Sequence, residues 1–149
     1  MSELSDLYQE VVLDHGKRPR NFGPLEGATH RAEGLNPLCG DHITVQARLE
    51  GDVVREARFE GSGCAISKAS ASVMTGTVKG RSAAEVDRIF EDFHRLVTEG
   101  PSAVADPEAL GKLAVFGGVH DYPTRVKCAS LPWHTLRAAI RGGGTVTTE

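Results

Sequence analysis

The sequence lacks any apolar run approaching the roughly 18 consecutive residues that a membrane-crossing helix needs. Its first residues, Met1–Glu10, also lack the basic-then-apolar pattern of a secretory signal. There is no excess of positive charge, since the formal net charge of the 149 residues is −3, and this argues against a nucleic-acid footprint. We therefore expect a cytoplasmic protein that binds neither membrane nor nucleic acid.

Cysteine is scarce: there are three residues, with no CxxC pair among them. An odd number of cysteines in a reducing compartment does not predict a disulfide framework, so each is a buried thiol, a metal ligand or a reactive thiol. The length fits one domain, residues 1–149, and an ordinary hydrophobic core. We expect residues 142–149 to form a disordered tail.

In the first half of the chain, the spacing of the hydrophobic residues changes from that of a helix to that of a strand. Residues 4–12 carry a helical stripe, and a Gly- and Pro-rich loop follows over residues 20–37, with a short strand near Arg31. Apolar residues then alternate with polar ones from Ile43 to Leu49, which predicts a half-buried strand. Residues 53–60 predict a second strand, with Val53, Ala57 and Phe59 on one face, although Arg55 interrupts the alternation. The helical stripe predicted over residues 4–12 consists of Leu4, Leu7, Tyr8 and Val11.

The second half is helical. Residues 64–79 predict a helix rich in small side chains, and Ser82 with Glu85 forms a capping-box pattern for the next helix, which Gly100-Pro101 stops. Asp106-Pro107 predicts a further helix that Gly117-Gly118 closes, and a last helix runs from about Leu131 to Arg141. Strands followed by helices predict an α+β domain, with a small antiparallel sheet and helices on one side.

Cys39-Gly40-Asp41 leads directly into the alternating strand. If that strand extends back to Cys39, both Cys39 and Asp41 lie on the buried face with Ile43. Two strand residues span roughly 6.6 Å, so both side chains could reach one ion. A carboxylate that leads a buried face needs a partner, because an unpaired buried charge is very costly, and a metal ion would supply it.

The other two cysteines are predicted at helix starts. Cys64 follows the glycine-rich turn Gly61-Ser62-Gly63, where the helix N-terminus offers free N–H groups that favour a thiolate. Cys128 follows Arg125 and Lys127, with Pro132 in the predicted first turn of the last helix. From spacing alone, three unrelated buried thiols remain the simpler interpretation. The helix-start settings and the neighbouring Asp41 make a shared metal site about equally well supported.

At these positions the sequence resembles the IscU/SufU family of iron–sulfur assembly proteins. The matching motifs, together with a similar N-terminal segment from Tyr8 to Asn21, are Asn36-Pro37-Leu38-Cys39-Gly40-Asp41, Gly61-Ser62-Gly63-Cys64-Ala65-Ile66-Ser67 and Arg125-Val126-Lys127-Cys128. Two departures favour the SufU branch: Lys127 stands where IscU-type scaffolds carry a histidine, and a segment from about Ser82 to Gly100 is added between the second and third cysteines.

The resemblance implies a three-stranded sheet packed with helices, a zinc site, and a role as sulfur acceptor for a SufS-type cysteine desulfurase, acting with downstream iron–sulfur assembly proteins. It implies Cys39, Asp41, Cys64 and Cys128 as zinc ligands, and Cys39 as the sulfur-accepting cysteine. Three thiolates and a carboxylate around Zn²⁺ leave a net charge of about −2, which Arg125 and Lys127 could offset.

Two other functions remain open at this point. The same thiolates could instead hold a [2Fe–2S] cluster, which would make the protein an assembly scaffold. Alternatively, zinc could only stabilise the fold of a small adaptor that performs no chemistry. The histidines are interpreted as surface or hydrogen-bonded residues rather than ligands, with His42 on the strand face opposite Asp41. Trp133 is interpreted as a core residue.

Overall fold

The computed structural model describes residues 3–105 and 107–147, and within these the side chains of residues 3–8 and 107–109 are not described. The α+β class is confirmed. None of the helices in this described part is long and apolar enough to cross a membrane. The elements in chain order are α1 (Glu3–Lys17), β1 (His30–Asn36), β2 (Asp41–Glu50), β3 (Val53–Ser62), α2 (Ala65–Val78), α3 (Ala83–Glu99), two 3₁₀ segments (Pro101–Ala103 and Pro107–Asp121), α4 (Pro123–Ile140) and β4 (Gly144–Thr147).

The sheet has four strands in the order β3-β2-β1-β4, so the expectation of three antiparallel strands is wrong. β1, β2 and β3 are antiparallel neighbours, as expected, but β4 pairs with β1 in parallel. β4 lies in residues 142–149, which were expected to be disordered. Its residues are mostly exposed and show no hydrophobic alternation, so the strand forms by backbone pairing along the free edge of β1.

The central strand β2 alternates as its sequence indicates. Asp41, Ile43 and Val45 are buried, and His42 between them is exposed. β3 contains a bulge: Arg48 pairs with Glu56 and Leu49 with Val54, so Arg55 has no partner across the ladder. The bulge explains the broken pattern and corrects the predicted face of β3.

As a result of that bulge, Val54 rather than Val53 is buried together with Ala57 and Phe59. α4 packs on β1 and β2, where Gly34 makes the close approach possible. A Cβ at Gly34 would collide with Thr135 and press on Leu131 of α4. Gly34 pairs with Ile43, so this is the face that carries Ile43 and, two residues earlier, Asp41.

Two helix starts follow the sequence signals. Cys64 is the N-cap of α2, as its position after the glycine turn indicates. Ser82 and Glu85 form the predicted capping box of α3, in which each side chain accepts from the other's backbone N–H. Gly100 ends α3 with a φ of 97°, a conformation that favours glycine.

The last helix is longer than predicted. α4 begins at Pro123, which occupies the first turn, so Pro132 lies in the helix interior rather than near its start. A proline there removes the hydrogen bond to the carbonyl four residues earlier, that of Cys128, without ending the helix. Cys128 is therefore a mid-helix residue, and its predicted helix-start position is wrong. Trp133 is 1% exposed, which confirms it as a core residue.

Two other helical predictions change. The segment predicted as a helix after Asp106 is a 3₁₀ segment, Pro107–Asp121, broken at Gly111 (φ 60°), and Asp106 lies outside the described residues. α1 runs to Lys17, beyond the predicted helical stripe of residues 4–12. The side chains of Leu4, Leu7 and Tyr8 in its predicted stripe lie outside the described residues.

Candidate metal centre

Three separate segments meet at one end of the sheet. The β1–β2 turn brings Cys39, the start of β2 brings Asp41, and α4 brings Cys128. The ligand atoms of these three residues all lie within 4.8 Å of one another, and the sulfur atoms of Cys39 and Cys128 are 3.2 Å apart. Cys64, at the start of α2, lies beside this group, since its backbone N–H donates to Oδ1 of Asp41. Three of the four side chains that the sequence singled out therefore form one tight group, and Cys64 borders it.

The turn that carries Cys39 is closed by backbone hydrogen bonds. The carbonyl of Asn36 accepts from the backbone N–H of Cys39 (3.3 Å) and of Gly40 (2.9 Å). Gly40 has a φ of 73°, a left-handed conformation that favours glycine. Apart from its chain neighbours, no atom of the described residues lies within 4 Å of the position that a Cβ would take. Cys39 is exposed as a result, while Asp41 enters the ladder opposite Asn36 and is buried.

The Asp41 carboxylate is 1% exposed and is held at both oxygens. Oδ1 accepts from the backbone N–H of Cys64 at 2.8 Å, and Oδ2 accepts from Nδ2 of Asn36 at 3.1 Å. Gly63 leaves room for this arrangement, because a Cβ there would come within 2.5 Å of Oδ1. These donors partly compensate the burial of the charge and fix the carboxylate beside the sulfur atoms.

Cys64 has the properties of a thiolate. Its sulfur accepts from the backbone N–H of Ser67 at 3.4 Å, as expected of a helix N-cap. The hydrogen bond from Cys128 and that from Ser67 lower the pKa of the Cys64 thiol to about 6, against the opposing effects of burial and of the Asp41 charge. The N-terminus of α2 therefore favours the thiolate form of Cys64.

Cys128 is fully buried in α4. Its hydrogen bond to Cys64 raises the pKa of the Cys128 thiol far above its usual range, and burial and its contact with Cys39 act in the same direction. Its sulfur also lies 3.6 Å from the carbonyl of Thr124. Cys128 is therefore the thiol of the cluster that gives up its proton least readily.

The donor set fits a zinc ion. Zinc takes four ligands in tetrahedral geometry from thiolate sulfur, imidazole nitrogen and carboxylate oxygen, and structural sites use mostly sulfur. Here two sulfur atoms and one carboxylate lie within 4.8 Å of one another, and Cys64 borders them as a candidate fourth ligand. Binding of a metal ion would displace the protons of the thiols. Iron–sulfur clusters use the same thiolates, so the donor chemistry alone admits both.

Arg125 and Lys127 are the two basic residues that were expected to offset the negative charge of the site. Arg125 is exposed, and it lines a cavity of 810 Å³ together with Ala65, Ile66 and Tyr122. Lys127 is half-buried. Neither takes part in an ion pair among the residues that the structure describes. Their role in offsetting the site's charge stays a prediction.

No histidine joins the metal-ligand group that the described residues form. His42 is exposed on the opposite strand face, as expected. His134 packs against Phe90 and His94 on α3. His15 is buried, with Nδ1 lying 2.7 Å from the hydroxyl of Ser72.

One residue of the site was not identified from the sequence. Asn36 lies in the quoted motif, but only the structure shows its amide beside Asp41 and Cys128. The sequence signal was a polar residue three positions before Cys39. Asn36 can be assigned to the site only when it is known that β1 extends to Asn36 and that Asn36 pairs with Asp41.

Comparison with known proteins gives consistent results. Residues 7–129 match the family described as the NifU-like N terminal domain. The chain is 39% identical over 142 residues to the zinc-dependent sulfurtransferase SufU of Bacillus subtilis (strain 168), a match covering 93% of this chain and 92% of that protein. It is 38% identical over 141 residues to the iron–sulfur cluster assembly scaffold protein IscU of Streptococcus pyogenes serotype M1, covering 95% and 87%.

A solved structure agrees with these matches. It is that of a candidate iron–sulfur cluster assembly scaffold protein for the SUF system from Fervidobacterium islandicum AW-1. The two chains superpose with a TM-score of 0.82 at 35% identity, and the match covers 91% of this chain and 97% of that one. Sequence and structure comparisons thus agree over nearly the whole length.

Proposed function

This chain belongs to the NifU-like N-terminal domain family of iron–sulfur cluster assembly proteins, and we propose that it acts there as a zinc-dependent sulfurtransferase. In this proposal it accepts persulfide sulfur from a SufS-type cysteine desulfurase and passes it to downstream assembly proteins. The relative named as a zinc-dependent sulfurtransferase supports this activity. A reducing cytoplasm suits three cysteines that form no disulfide.

One observation carries the proposal: the three thiols of the cluster differ in their access to solvent. Cys39 is exposed, Cys64 is intermediate and Cys128 is buried. A sulfur acceptor must be reached by the cysteine of a donor protein, and Cys39 is the thiol that a partner can approach. The enclosed pair is suited to holding an ion rather than to reacting.

Zinc would be held by Cys39, Asp41, Cys64 and Cys128. When bound, it would supply positive charge that keeps the thiols deprotonated and restrains their reactivity. The chain's own contribution is to fix the Asp41 carboxylate through the Cys64 N–H and the Asn36 amide. It also keeps the sulfur atom of Cys128 away from solvent.

The transfer step needs no external oxidant or reductant. The Cys39 thiolate attacks the outer sulfur of the donor's persulfide, and a new S–S bond forms on Cys39. The S–S bond of the donor breaks, and the donor cysteine leaves as a thiolate. One sulfur atom moves from donor to acceptor, and the negative charge passes to the leaving cysteine. Cys39 is thus the proposed catalytic residue.

A mass measurement tests this proposal. The zinc-loaded protein is incubated with a cysteine desulfurase and L-cysteine, the thiols are blocked, and peptides are analysed by mass spectrometry. We expect Cys39 to gain about 32 Da, the mass of one sulfur atom added in thiol–persulfide exchange. Cys39→Ala should accept no sulfur and fail to stimulate desulfurase turnover, while His42→Ala on the opposite strand face should behave as the unmodified chain does. Normal stimulation by Cys39→Ala would eliminate Cys39 as the acceptor.

A scaffold for a [2Fe–2S] cluster is the second candidate, favoured by the relatives named as IscU scaffolds. The three sulfur atoms suit such a cluster as well as they suit zinc. Metal analysis and the visible spectrum of freshly purified protein separate the two functions. A colourless protein with one zinc per chain supports the transferase, and a brown protein with iron and acid-labile sulfide supports the scaffold.

A further inference from the structure

Asn36 is a buried polar residue at the junction of the segments that form the site. It is the last residue of β1, is 1% exposed, and pairs directly with Asp41 across the ladder. Burying an amide is costly unless its polar atoms find partners. The partners of Asn36 therefore show what the chain gains from a polar residue at this position.

The side-chain amide of Asn36 links two of the proposed ligands. Nδ2 donates to Oδ2 of Asp41 at 3.1 Å and to the sulfur of Cys128 at 3.5 Å. This uses both of its N–H groups. The opposite orientation of the amide would place its oxygen against the carboxylate oxygen of Asp41, which repels it. Both contacts therefore depend on the NH₂ group specifically.

The backbone of the same residue holds a third ligand. The carbonyl of Asn36 accepts the N–H groups of Cys39 and Gly40 and so closes the turn that presents Cys39. Asn36 thus contacts the Cys39 turn, the Asp41 carboxylate and the Cys128 sulfur, which come from β1–β2 and from α4.

Asn36 also carries an unfavourable feature. Its Oδ1 is buried and has no hydrogen-bond partner among the residues that the structure describes. An apolar side chain of similar size would avoid this cost, since an unsatisfied buried acceptor is destabilising. The presence of the amide is therefore explained by its hydrogen bonds to the site and not by the packing of the core.

We propose that Asn36 is the positioning residue of the metal centre, and that its NH₂ group sets the orientation of Asp41 and Cys128 toward the ion. The inference rests on the proposed function, because it assigns a role in the same zinc site. Its hydrogen bonds hold two ligands in place and stabilise their negative charge, so the site keeps its shape while Cys39 reacts.

Three variants test this role. Asn36→Asp keeps the shape of the side chain and replaces the donating NH₂ with an accepting oxygen, and Asn36→Ala removes the amide altogether. Asn21→Ala is the matched control, because Asn21 donates a comparable side-chain hydrogen bond, to Thr75 at 3.1 Å, and adopts a φ of 56° that alanine tolerates poorly. The control therefore destabilises the fold without touching the thiols.

Zinc affinity is measured by competition with a chromogenic chelator, and the visible spectrum is recorded at saturating Co²⁺. Both Asn36 variants should lose about 10- to 100-fold in zinc affinity, the usual effect of losing a group that orients metal ligands. Their cobalt spectra at saturation should change in band position or intensity. Asn21→Ala should lower the thermal midpoint of the metal-free protein and leave zinc affinity and cobalt spectrum unchanged.

The inference is overturned if Asn36→Asp keeps the affinity and spectrum of the unmodified chain. It is also overturned if both Asn36 variants weaken zinc only in proportion to their lower thermal midpoint, with an unchanged cobalt spectrum. Failure of both to fold without metal, where Asn21→Ala folds, would make Asn36 a determinant of the fold instead. If the unmodified chain binds no zinc, the proposed function fails, and the role of Asn36 fails with it.

Discussion

The two sides of the thiol cluster differ in how firmly the chain holds them. We call the residues Leu38, Cys39 and Gly40 the open side. Leu38 is 62% exposed, Cys39 is exposed, and a Cβ added at Gly40 would meet nothing within 4 Å. Backbone hydrogen bonds of the turn hold this side in place, and side chains contribute few contacts to it.

The closed side consists of Gly63, Cys64 and Cys128. Cys128 is fully buried in α4, and Cys64 is held by the N-terminus of α2. The two helices carrying them are joined by the hydroxyl of Ser70, which donates to the carbonyl of Ala129. This difference supports the proposed function, in which the closed side would retain the ion and the open side would exchange sulfur.

The largest expected effect comes from removing a thiol of the closed side. Cys128→Ala should abolish stoichiometric zinc binding and with it the stabilisation that bound metal gives, roughly 4 kcal/mol at a thousandfold excess over Kd. Leu38→Ala on the open side is the control and should change the free energy of unfolding by less than about 0.5 kcal/mol. Chemical denaturation with and without zinc measures both. A Cys128→Ala protein that retains one tightly bound zinc would remove the distinction between the two sides.

The site was predictable from the sequence where local chemistry sets the geometry. The alternation from Ile43 to Leu49 placed Asp41 on the buried face, and the glycine turn placed Cys64 at a helix start. Both are local rules, in which a few neighbouring residues determine backbone conformation. The convergence of Cys128 with them is a tertiary event. The helix-start position that supported it was wrong for Cys128, and the family resemblance indicated it more specifically.

The failures have physical reasons as well. Pro132 was interpreted as a residue of the first turn, but its helix tolerates one missing hydrogen bond because it is packed in the core. β4 forms along the edge of β1 through backbone bonds, which leave no trace in side-chain pattern. The role of Asn36 depends on the register between β1 and β2, which its own neighbourhood does not encode.

A matched pair of glycine substitutions, one on each side of the thiol cluster, should change stability and zinc affinity by an intermediate amount. Gly63→Ala would bring a Cβ within 2.5 Å of Asp41 Oδ1, and the carboxylate cannot move without losing its bonds to Cys64 and Asn36. We expect a loss of about 1–3 kcal/mol in stability and weaker zinc binding. Gly40→Ala meets no atom and only strains a φ of 73°, costing about 1 kcal/mol with zinc affinity unchanged. Equal zinc affinities for the two variants would contradict the account.

The smallest expected effect is a pH dependence of the metal-free protein. The folded-state pKa of Cys64 is lowered from 9.0 to about 6, so between these values the unfolded chain binds one more proton and stability rises with pH. The folded-state pKa of Cys128 is raised, so above pH 9 the folded chain holds the extra proton and stability falls again. Because Cys64 is partly exposed to solvent, we expect a maximum near pH 9 on the order of 1 kcal/mol high.

Denaturation of chelator-treated protein from pH 6 to pH 10 measures this effect. Cys64→Ser should flatten the rising limb between pH 6 and pH 9. A rising limb of unchanged height in that variant would assign the effect to other groups.

The central claim is that Cys39, Asp41, Cys64 and Cys128 surround a single zinc ion. X-ray absorption at the zinc edge, combined with metal analysis of the purified protein, tests it most directly. The account predicts one zinc per chain with three sulfur neighbours at about 2.3 Å and one oxygen at about 2.0–2.2 Å. Iron in place of zinc, or a zinc shell with fewer than three sulfur atoms, would contradict it.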